Sequence, residues 1–382
     1  MSFKLGKTKI YKNEILFLVA YICFFISLFL NDVRFKSDIY IFTRNLRYFS
    51  YFIALIQLII HKENYKQFII EMIVLAVTMV YYVFTNDIYL PMLAVLIFGS
   101  IETSEERVCN ISLRLLTLGT LTVVIGNLVG IFPDVMTSMA YSTDLTRHSY
   151  GFYHSNVLPN NLLIIEILLV WKYKKKFSIF WILIFLVLNI LIYDLSRSRM
   201  SIVISIIFTL GLISLKLKFI SLIIEKVIYI ISFFITPILT ILSVVFMLLV
   251  NSSNFLVYRI DLIFSSRFWA AFLKYSRLGI KLFNFSSNEF FYYDKLIIDN
   301  GYLFLLLRYG VIALVVINFI SINLVMKSRN QIYRLICIIN IFTIASIDNL
   351  FLSYRFLPFL IFAFLKINKK LIFNEKGEYI NE

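Results

Sequence analysis

Long apolar stretches alternate with short polar segments along almost the whole chain. Most are close to the roughly 20 residues that an α-helix needs to cross a hydrocarbon layer. They centre on 14–31, 46–61, 68–85, 87–101, 111–131, 157–171, 178–193, 200–215, 224–250, 301–326, 334–347 and 349–366. The pattern predicts an all-α polytopic bundle of about twelve spans. It forms one integral membrane domain over 1–382, with a long extracytoplasmic loop at 251–298.

The composition agrees with a membrane protein and excludes a soluble domain. Hydrophobic residues make up 60% of the chain, aromatic residues 17%, and the mean hydropathy is +0.87, whereas soluble domains are about half apolar. The abundance of Ile, Asn and Lys is typical of AT-rich bacterial genomes, so we expect a bacterial cytoplasmic membrane. The 3 cysteines lie far apart in apolar sequence, and we predict neither a disulfide nor a metal site, and no cofactor.

The lysines indicate how the chain is oriented. If the spans alternate, the lysine-rich connections all fall on one side: the N-terminus, 61–67, 102–114, 172–176, 216–218, 327–334 and 366–370. The positive-inside rule then places both termini in the cytoplasm. The net charge of +15 is explained by these flanking lysines, so the expected partner is the lipid bilayer and not nucleic acid.

Most arginines belong to the opposite side, where they have no role as topology signals. They are Arg34, Arg44, Arg47, Arg147, Arg197, Arg199, Arg259, Arg267, Arg277 and Arg355. A planar guanidinium group binds two oxygens at once, which suits a phosphate or diphosphate. The distribution therefore predicts an anion site at the outer edge of the membrane.

The first candidate motif is G-F-Y-H-S-N at 151–156, at the edge of the sixth predicted span. His154 is a candidate base, or a hydrogen-bond donor to phosphate or sugar. Asn156 is a candidate substrate contact. A purely structural interpretation is that Ser155 or Asn156 caps the next helix.

The second candidate motif is D-L-S-R-S-R at 194–199, a tight loop between two apolar spans. Arg197 and Arg199 lie beside the start of the next helix, whose free N–H groups also attract anions. We predict that both arginines bind a diphosphate. The alternative is an ordinary polar turn in which Asp194 neutralises one of them.

The long loop mixes cations, amides and aromatic residues on segments apolar enough to form interfacial amphipathic helices. Arg259 and Arg267 are its candidate diphosphate ligands. Its aromatic residues suit stacking on a sugar ring. Trp and Tyr also mark membrane interfaces without binding anything.

An acid–amide pair opens two predicted spans, D-N-G-Y at 299–302 and D-N at 348–349. Asp299 and Asp348 are candidate catalytic acids or bases. Further candidate substrate contacts are Asn300, Tyr302 and Arg355. Helix capping explains the two amides equally well. Arg308, well inside the tenth span, requires a partner or a watery cavity.

Three of these segments resemble the motifs of Wzy-type polysaccharide polymerases, in the O-antigen polymerase and ligase superfamily. G-F-Y-H-S-N is similar to Gly-Phe-x-His-x-Asn, S-R-S-R-M-S to a small-residue-Ser-Arg motif, and D-N-G-Y to Asp-Asn-x-Tyr. The span count, the single long outer loop and the motif order also match. The resemblance runs from about residue 110 to the end of the chain.

The resemblance implies a metal-independent glycosyltransferase with a GT-C-type helical fold. It would transfer an oligosaccharide repeat unit from one undecaprenyl diphosphate carrier to the sugar on another, releasing undecaprenyl diphosphate. The product would be a capsular, exo- or O-antigen polysaccharide. Expected partners are the lipid-linked oligosaccharide and, from the same pathway, a chain-length regulator and a flippase.

Two alternatives remain open at this point. A flippase of lipid-linked oligosaccharide would also have about twelve spans, but with charges along a central path and repeat symmetry between its halves. The two halves of this sequence do not match. A ligase-like transferase is disfavoured because 251–298 contains no histidine.

Overall fold

The computed structural model describes residues 2–5, 8–60, 65–85, 87–101, 103–139, 142–216, 221–251, 255–285 and 297–365. Over these residues the chain is predominantly helical. The helices are α1 Lys12–Asn31, α2 Tyr40–Ile60, α3 Tyr65–Thr85, α4 Tyr89–Ser100, α5 Glu105–Leu128, α6 Val157–Tyr173, α7 Ile179–Ser196, α8 Arg199–Ser214, α9 Ser221–Leu249, α10 Phe255–Ile263, α11 Arg267–Leu278, α12 Gly301–Tyr309, α13 Val311–Lys327, α14 Ile332–Ala345 and α15 Leu357–Phe364. Two antiparallel hairpins pair β1 Ser2–Leu5 with β2 Thr8–Tyr11, and β3 Thr137–Met139 with β4 Ser142–Arg147.

Several helices have the length and apolarity of membrane spans. Within the described ranges, five segments meet both requirements: Glu14–Asn31, Phe68–Thr85, Glu105–Leu128, Ile179–Ser196 and Glu225–Leu249. Shorter apolar helices accompany them at Tyr89–Ser100, Arg199–Ser214, Val311–Lys327 and Ile332–Ala345. The structure is therefore that of a helical membrane protein.

The outer surface of the bundle is apolar, and polar side chains pair inside it. Val83 is 73% exposed and Ile241 62% exposed, which is favourable against lipid tails. Inside, Thr236 Oγ1 on α9 and Ser321 Oγ on α13 lie 2.6 Å apart in a hydrogen bond. Small hydroxyl residues join membrane helices in this way because hydrocarbon offers them no other partner.

The helices α6 and α14 form the centre of the bundle. Both are buried along most of their length and are apolar on nearly all faces, as expected of helices surrounded by other helices. Helix α6 packs against α5, α7, α8 and α14, and α14 also packs against α9. Polar groups at the ends of these two helices are consequently held in fixed positions.

Among the described residues, those beside the predicted cytoplasmic connections at 102–114, 172–176 and 327–334 meet at one end of the bundle, which we call the lysine end. Arg107 at the start of α5 forms an ion pair with Glu14 near the start of α1. Glu105 pairs with Arg334 at the start of α14 and accepts a hydrogen bond from Trp171 Nε1 at the end of α6. The other ends of α1, α6 and α14 meet at the opposite end, which we call the arginine end.

The tenth predicted span, 301–326, is not one helix but two. The chain breaks at Gly310, whose φ is +97°. A side chain there would place its Cβ 2.4 Å from the carbonyl oxygen of Leu282. The carbonyl of Lys281 accepts a hydrogen bond from Val311 N at 3.0 Å. The long loop thus accepts a hydrogen bond from a backbone N–H at the start of α13. Because the loop backbone approaches residue 310 so closely, that position requires glycine.

The last predicted span also begins later than the sequence indicates. Residues 346–356 form turns, and α15 starts at Leu357. Asp348 and Asn349 therefore do not open a helix, and capping does not explain Asn349. Pro358 occupies the first turn of α15, where its missing N–H removes no helical bond. The turns leave room for side chains of this segment to face other elements.

The long loop contains the amphipathic helices expected from its sequence, α10 and α11. Helix α11 buries Phe268 and Ala271 and exposes Arg277. It packs against α9 and α12. Residues 286–296 of this loop lie outside the described residues.

Arg308 has the partner that its depth requires. Its guanidinium lies 2.5 Å from Asp87 Oδ2, which also accepts a 2.7 Å hydrogen bond from Tyr309 Oη. The ion pair joins α12 to the segment before α4. The expectation of a partner for this buried charge is confirmed.

We predict that Gly310→Ala lowers the melting temperature of the purified protein by several degrees more than Gly279→Ala. Both glycines have positive φ, but an added Cβ at Gly279 would have no neighbour within 4 Å. The difference between the variants isolates the collision with Leu282. Equal melting temperatures would show that the loop moves away freely.

Candidate functional site

A buried arginine joins three separate parts of the chain at the arginine end. Arg355 Nη1 lies 2.8 Å from Asp348 Oδ2, and its Nη2 lies 2.8 Å from Asp32 Oδ2. Asn160 Nδ2, in the first turn of α6, donates a 2.6 Å hydrogen bond to Asp348 Oδ2. We call Asp32, Asn160, Asp348 and Arg355 the Arg355 network.

This network extends into α8. Ser201 Oγ donates a 2.7 Å hydrogen bond to Asn160 Oδ1. Ser198 Oγ, directly before α8, lies 2.8 Å from Ser201 Oγ. The start of α8, which carries Arg199, is thereby attached to the Arg355 network.

The G-F-Y-H-S-N segment pairs with the chain that follows α1. Arg34 N donates to Gly151 O at 2.9 Å, and Tyr153 N donates to Asp32 O at 2.9 Å. These two bonds set His154 beside Asp32. The His154 side chain is exposed, and its charge lowers the pKa of both Asp32 and Asp299, which burial raises more strongly.

The D-N-G-Y segment brings Asp299 next to Asp348. Asn300 Oδ1 accepts a 3.1 Å bond from Leu303 N and so caps α12, while its Nδ2 donates to Ser243 Oγ at 3.0 Å. A Cβ at Gly301 would lie 3.1 Å from the carbonyl oxygen of Asp348. The absence of a side chain at Gly301 thus allows the two acidic segments to approach.

Asp299 has the environment of an acid–base group. Burial raises the pKa of its carboxyl, and the charge of Asp348 raises it further. Arg267 opposes both effects, with its Nε 3.4 Å from Asp299 Oδ2. A raised pKa brings a carboxyl closer to neutral pH, where proton transfer is most efficient.

Three arginines lie within electrostatic range of one another: Arg147 at the end of β4, Arg199, and Arg267, which pairs with Asp299. We call them the arginine cluster. Burial lowers the pKa of Arg147, and the positive charges of Arg199 and Arg267 lower it further. This proximity of like charges is unfavourable. A bound anion would relieve it.

Two members of the cluster also have N–H groups without acceptors. Arg267 is only 8% exposed. Nη1 of Arg267 and Nε of Arg147 are buried and form no hydrogen bond with the described residues, and Nε of Arg267 reaches Asp299 only in the 3.4 Å ion pair. Buried donors normally have a partner, and two guanidinium forks are well suited to phosphate oxygens. The arginine cluster is therefore the best candidate anion site.

Three predicted substrate contacts have other roles in the structure. Arg197 pairs with Asp194 at 2.9 Å, which is the polar turn considered as the alternative. Arg259 is exposed, 4.8 Å from the ring centroid of Phe255 on its own helix. Tyr302 is 0% exposed and donates to Phe342 O at 3.0 Å, so its hydroxyl stabilises helix packing and is out of reach of a ligand.

The three asparagines of the candidate motifs also have different roles in the structure. Asn300 caps its helix, as the structural interpretation proposed. Asn156 occupies the position before α6 but its side chain does not cap that helix. Asn349 Oδ1 is buried beside Asp348 with no hydrogen-bond partner in the described structure. The side chains of Asn156 and Asn349 are therefore the two amides suited to a ligand contact.

Sequence reasoning did not single out Asp32, Asn160, Ser201 or Arg147 as site residues. Asp32 could have been found as an acid at the outer end of the first span. Asn160 and Ser201 could have been found as polar residues near the outer ends of apolar helices. Arg147 was recognised only as one of the outer arginines, because nothing in the sequence shows where β4 ends in space.

The fold and site together define a helical membrane protein with an arginine–carboxylate site at one end of its bundle. No protein-family model matches the chain, and no curated protein or solved structure is significantly similar to it. Its function therefore has to be inferred from the site.

We predict that Arg355→Gln destabilises the protein by about 3–5 kcal/mol, because it leaves two partly buried carboxylates without a counter-ion. Asp32→Asn in the same chain should restore part of the loss by removing one of the two charges. Melting temperatures of the four members of this double-mutant cycle measure the coupling. The control Arg259→Gln, at an exposed position, should leave the melting temperature unchanged. If the losses of stability from Arg355→Gln and Asp32→Asn are additive, the two residues are not coupled and the network is contradicted.

Proposed function

We propose that this chain is an integral-membrane glycosyltransferase that polymerises undecaprenyl-diphosphate-linked oligosaccharide repeat units. Its fold would be of the GT-C type with about twelve spans. The observation that carries the proposal is the arginine cluster next to Asp299 and Asp348 at one end of an apolar bundle. Groups suited to a diphosphate thus lie beside groups suited to proton transfer, and in this proposal that end of the bundle lies at the level of the lipid headgroups.

In this proposal the arginine cluster binds the diphosphate of the donor. Arg267 and Arg147 offer the buried, unsatisfied N–H groups, and Arg199 adds charge at the start of α8. The leaving group is already activated, so the bond can be broken without a metal. Guanidinium groups aimed at the departing diphosphate stabilise the charge that develops in the transition state.

The transfer step is a displacement at the anomeric carbon of the donor sugar. An acceptor hydroxyl oxygen forms a bond to this carbon, and the bond from the carbon to the diphosphate oxygen breaks with its electron pair on the diphosphate. The hydroxyl proton passes to the carboxylate of Asp299. Asp348 is held by Arg355 and Asn160, so its role is to orient Asp299 and the acceptor.

His154, which is exposed beside Asp32, contacts the acceptor hydroxyl or a phosphate oxygen in this proposal. Asn156 and Asn349 contribute amide groups for sugar hydroxyls. The arginine end faces outward and the lysine end faces the cytoplasm, as the positive-inside rule requires. Both termini are then cytoplasmic, in a bacterial inner membrane, with a flippase supplying repeat units and a chain-length regulator acting on the product.

We predict that Arg267→Lys and Arg199→Lys each reduce polymer formation about a hundred-fold, because lysine keeps the charge but loses the two-oxygen fork. Cells producing each variant in place of the native protein should accumulate single repeat units on the carrier lipid. Gel electrophoresis of the extracted polymer measures polymer formation, and mass spectrometry of the lipid-linked saccharides measures the accumulated single units. Arg259→Lys, outside the arginine cluster, is the matched control.

If correctly inserted Arg199→Ala and Arg267→Ala variants make full-length polymer, these arginines do not bind the donor diphosphate as proposed. A different outcome would favour transport: in cells lacking the protein, unpolymerised units trapped on the cytoplasmic leaflet indicate a flippase.

We predict that Asp299→Asn abolishes most polymerisation while leaving binding of lipid-linked donor intact. The native rate should rise with pH through the raised pKa of Asp299, since the base is active when ionised, and then level off. The Asn variant should lose that rise. Rates measured over a pH series with native protein, Asp299→Asn and the exposed-site control Asp194→Asn test this; identical pH profiles for native protein and Asp299→Asn contradict it.

A further inference from the structure

A carboxylic acid lies in the interior of the bundle, away from the arginine end. Glu166, in α6, is 0% exposed. Its Oε2 accepts a 3.3 Å hydrogen bond from Asn189 Nδ2 on α7. Its Oε1 is buried without any hydrogen-bond partner, and no ion pair reaches it from the described residues.

One face of α8, the helix that Ser201 joins to α6, carries hydroxyl groups that are also unsatisfied. Ser201, Ser205 and Thr209 are spaced by four residues and therefore lie on one face. Ser205 Oγ and Thr209 Oγ1 are buried and form no hydrogen bond with the described residues. In contrast, Ser112 Oγ and Thr343 Oγ1 donate to the carbonyl one turn before them. The α8 hydroxyls have no such bond.

The bond between Ser201 and Asn160 fixes the register of α6 and α8. Both helices begin at the arginine end, and Lys216 after α8 bonds to Lys175 O after α6 at the other end. The helices therefore run parallel. With a rise of about 1.5 Å per residue, Glu166 lies between the levels of Ser205 and Thr209.

Among the described residues, two titratable groups packed against α6 near Glu166 are thiols. Cys109 on α5 donates to Leu168 O at 3.7 Å, and Cys337 on α14 donates to Ile167 O at 3.5 Å. Neither neutralises a carboxylate. An ionised carboxyl at this depth costs several kcal/mol unless a positive charge accompanies it.

We propose that Glu166, Ser205 and Thr209 form a binding site for a monovalent cation, either a proton or a sodium ion, with Asn189 orienting the carboxyl. The ligands would all be oxygen atoms, which suits both cations. The occupied site holds α6, α7 and α8 together. Ser201 links the same face of α8 to Asn160. A bound cation therefore also stabilises the start of α8, where Arg199 lies. The inference is independent of the proposed transferase activity.

The test uses the full-length protein in lipid nanodiscs. Its melting temperature is measured from acidic to alkaline pH, in sodium chloride or choline chloride at equal ionic strength. The folded protein favours the neutral carboxyl, so in choline the melting temperature should fall by several degrees as pH rises. If the cation is a proton only, sodium changes nothing; if the site accepts sodium, sodium chloride restores the melting temperature at alkaline pH.

Glu166→Gln, which mimics the neutral carboxyl, should abolish the sodium dependence and reduce the pH dependence to the part contributed by other carboxyls such as Asp299. Glu225→Gln, the same change at an exposed position on α9, should keep the native profile. A native melting temperature insensitive to both pH and sodium overturns the site, as does an unchanged profile in Glu166→Gln. If Glu166→Gln does not fold, Thr209→Val decides. Loss of one oxygen ligand weakens cation binding, so the pH at which the melting temperature falls should move downward or the sodium concentration required should rise. A native profile in that variant overturns the site.

Discussion

The arginine end of this protein depends on the burial of one guanidinium group. Arg355 lies within the fold, where an unpaired charge would be costly, and it is compensated by Asp32 after α1 and Asp348 before α15. Asn160 adds α6 to this network and, through Ser201, α8. Four segments that are distant in sequence therefore have to meet at one place. The positions of His154, Arg199 and Asp299 follow from that constraint.

The arginines at this end have two different electrostatic environments. The difference distinguishes the structural arginine from the arginines suited to binding a ligand. Arg355 has two carboxylate partners and accordingly acts as a structural cation. Arg267 has a single carboxylate partner, Asp299, and both Arg147 and Arg267 are close to other positive charges. A protein that keeps such a cluster at one end of an apolar bundle is prepared for an anionic ligand. The same reasoning, applied to the carboxyl of Glu166, points to a cation inside the bundle.

Much of the fold and part of the site could be predicted from the sequence. Hydrophobic length predicted the helices, and the expected amphipathic helices α10 and α11 are present in the long loop. The conformation of Gly310 could not be predicted, because the break depends on the carbonyl oxygen of Leu282, which approaches from the long loop. The start of α15 was misplaced for a related reason: Asp348 bonds to Arg355 and Asn160 instead of capping a helix. Arg197 and Arg199 look equivalent in sequence, and only the structure shows that Asp194 forms its ion pair with Arg197.

The sequence by itself determined the helical membrane class, the approximate positions of the helices and the gathering of arginines away from the lysine-rich connections. These properties depend on the transfer of side chains between water and hydrocarbon, which each segment obeys locally. Only the tertiary structure decided which arginine each carboxylate neutralises. That outcome depends on distances between charges from remote segments, such as Arg355 and Asp32, and no local pattern encodes those distances.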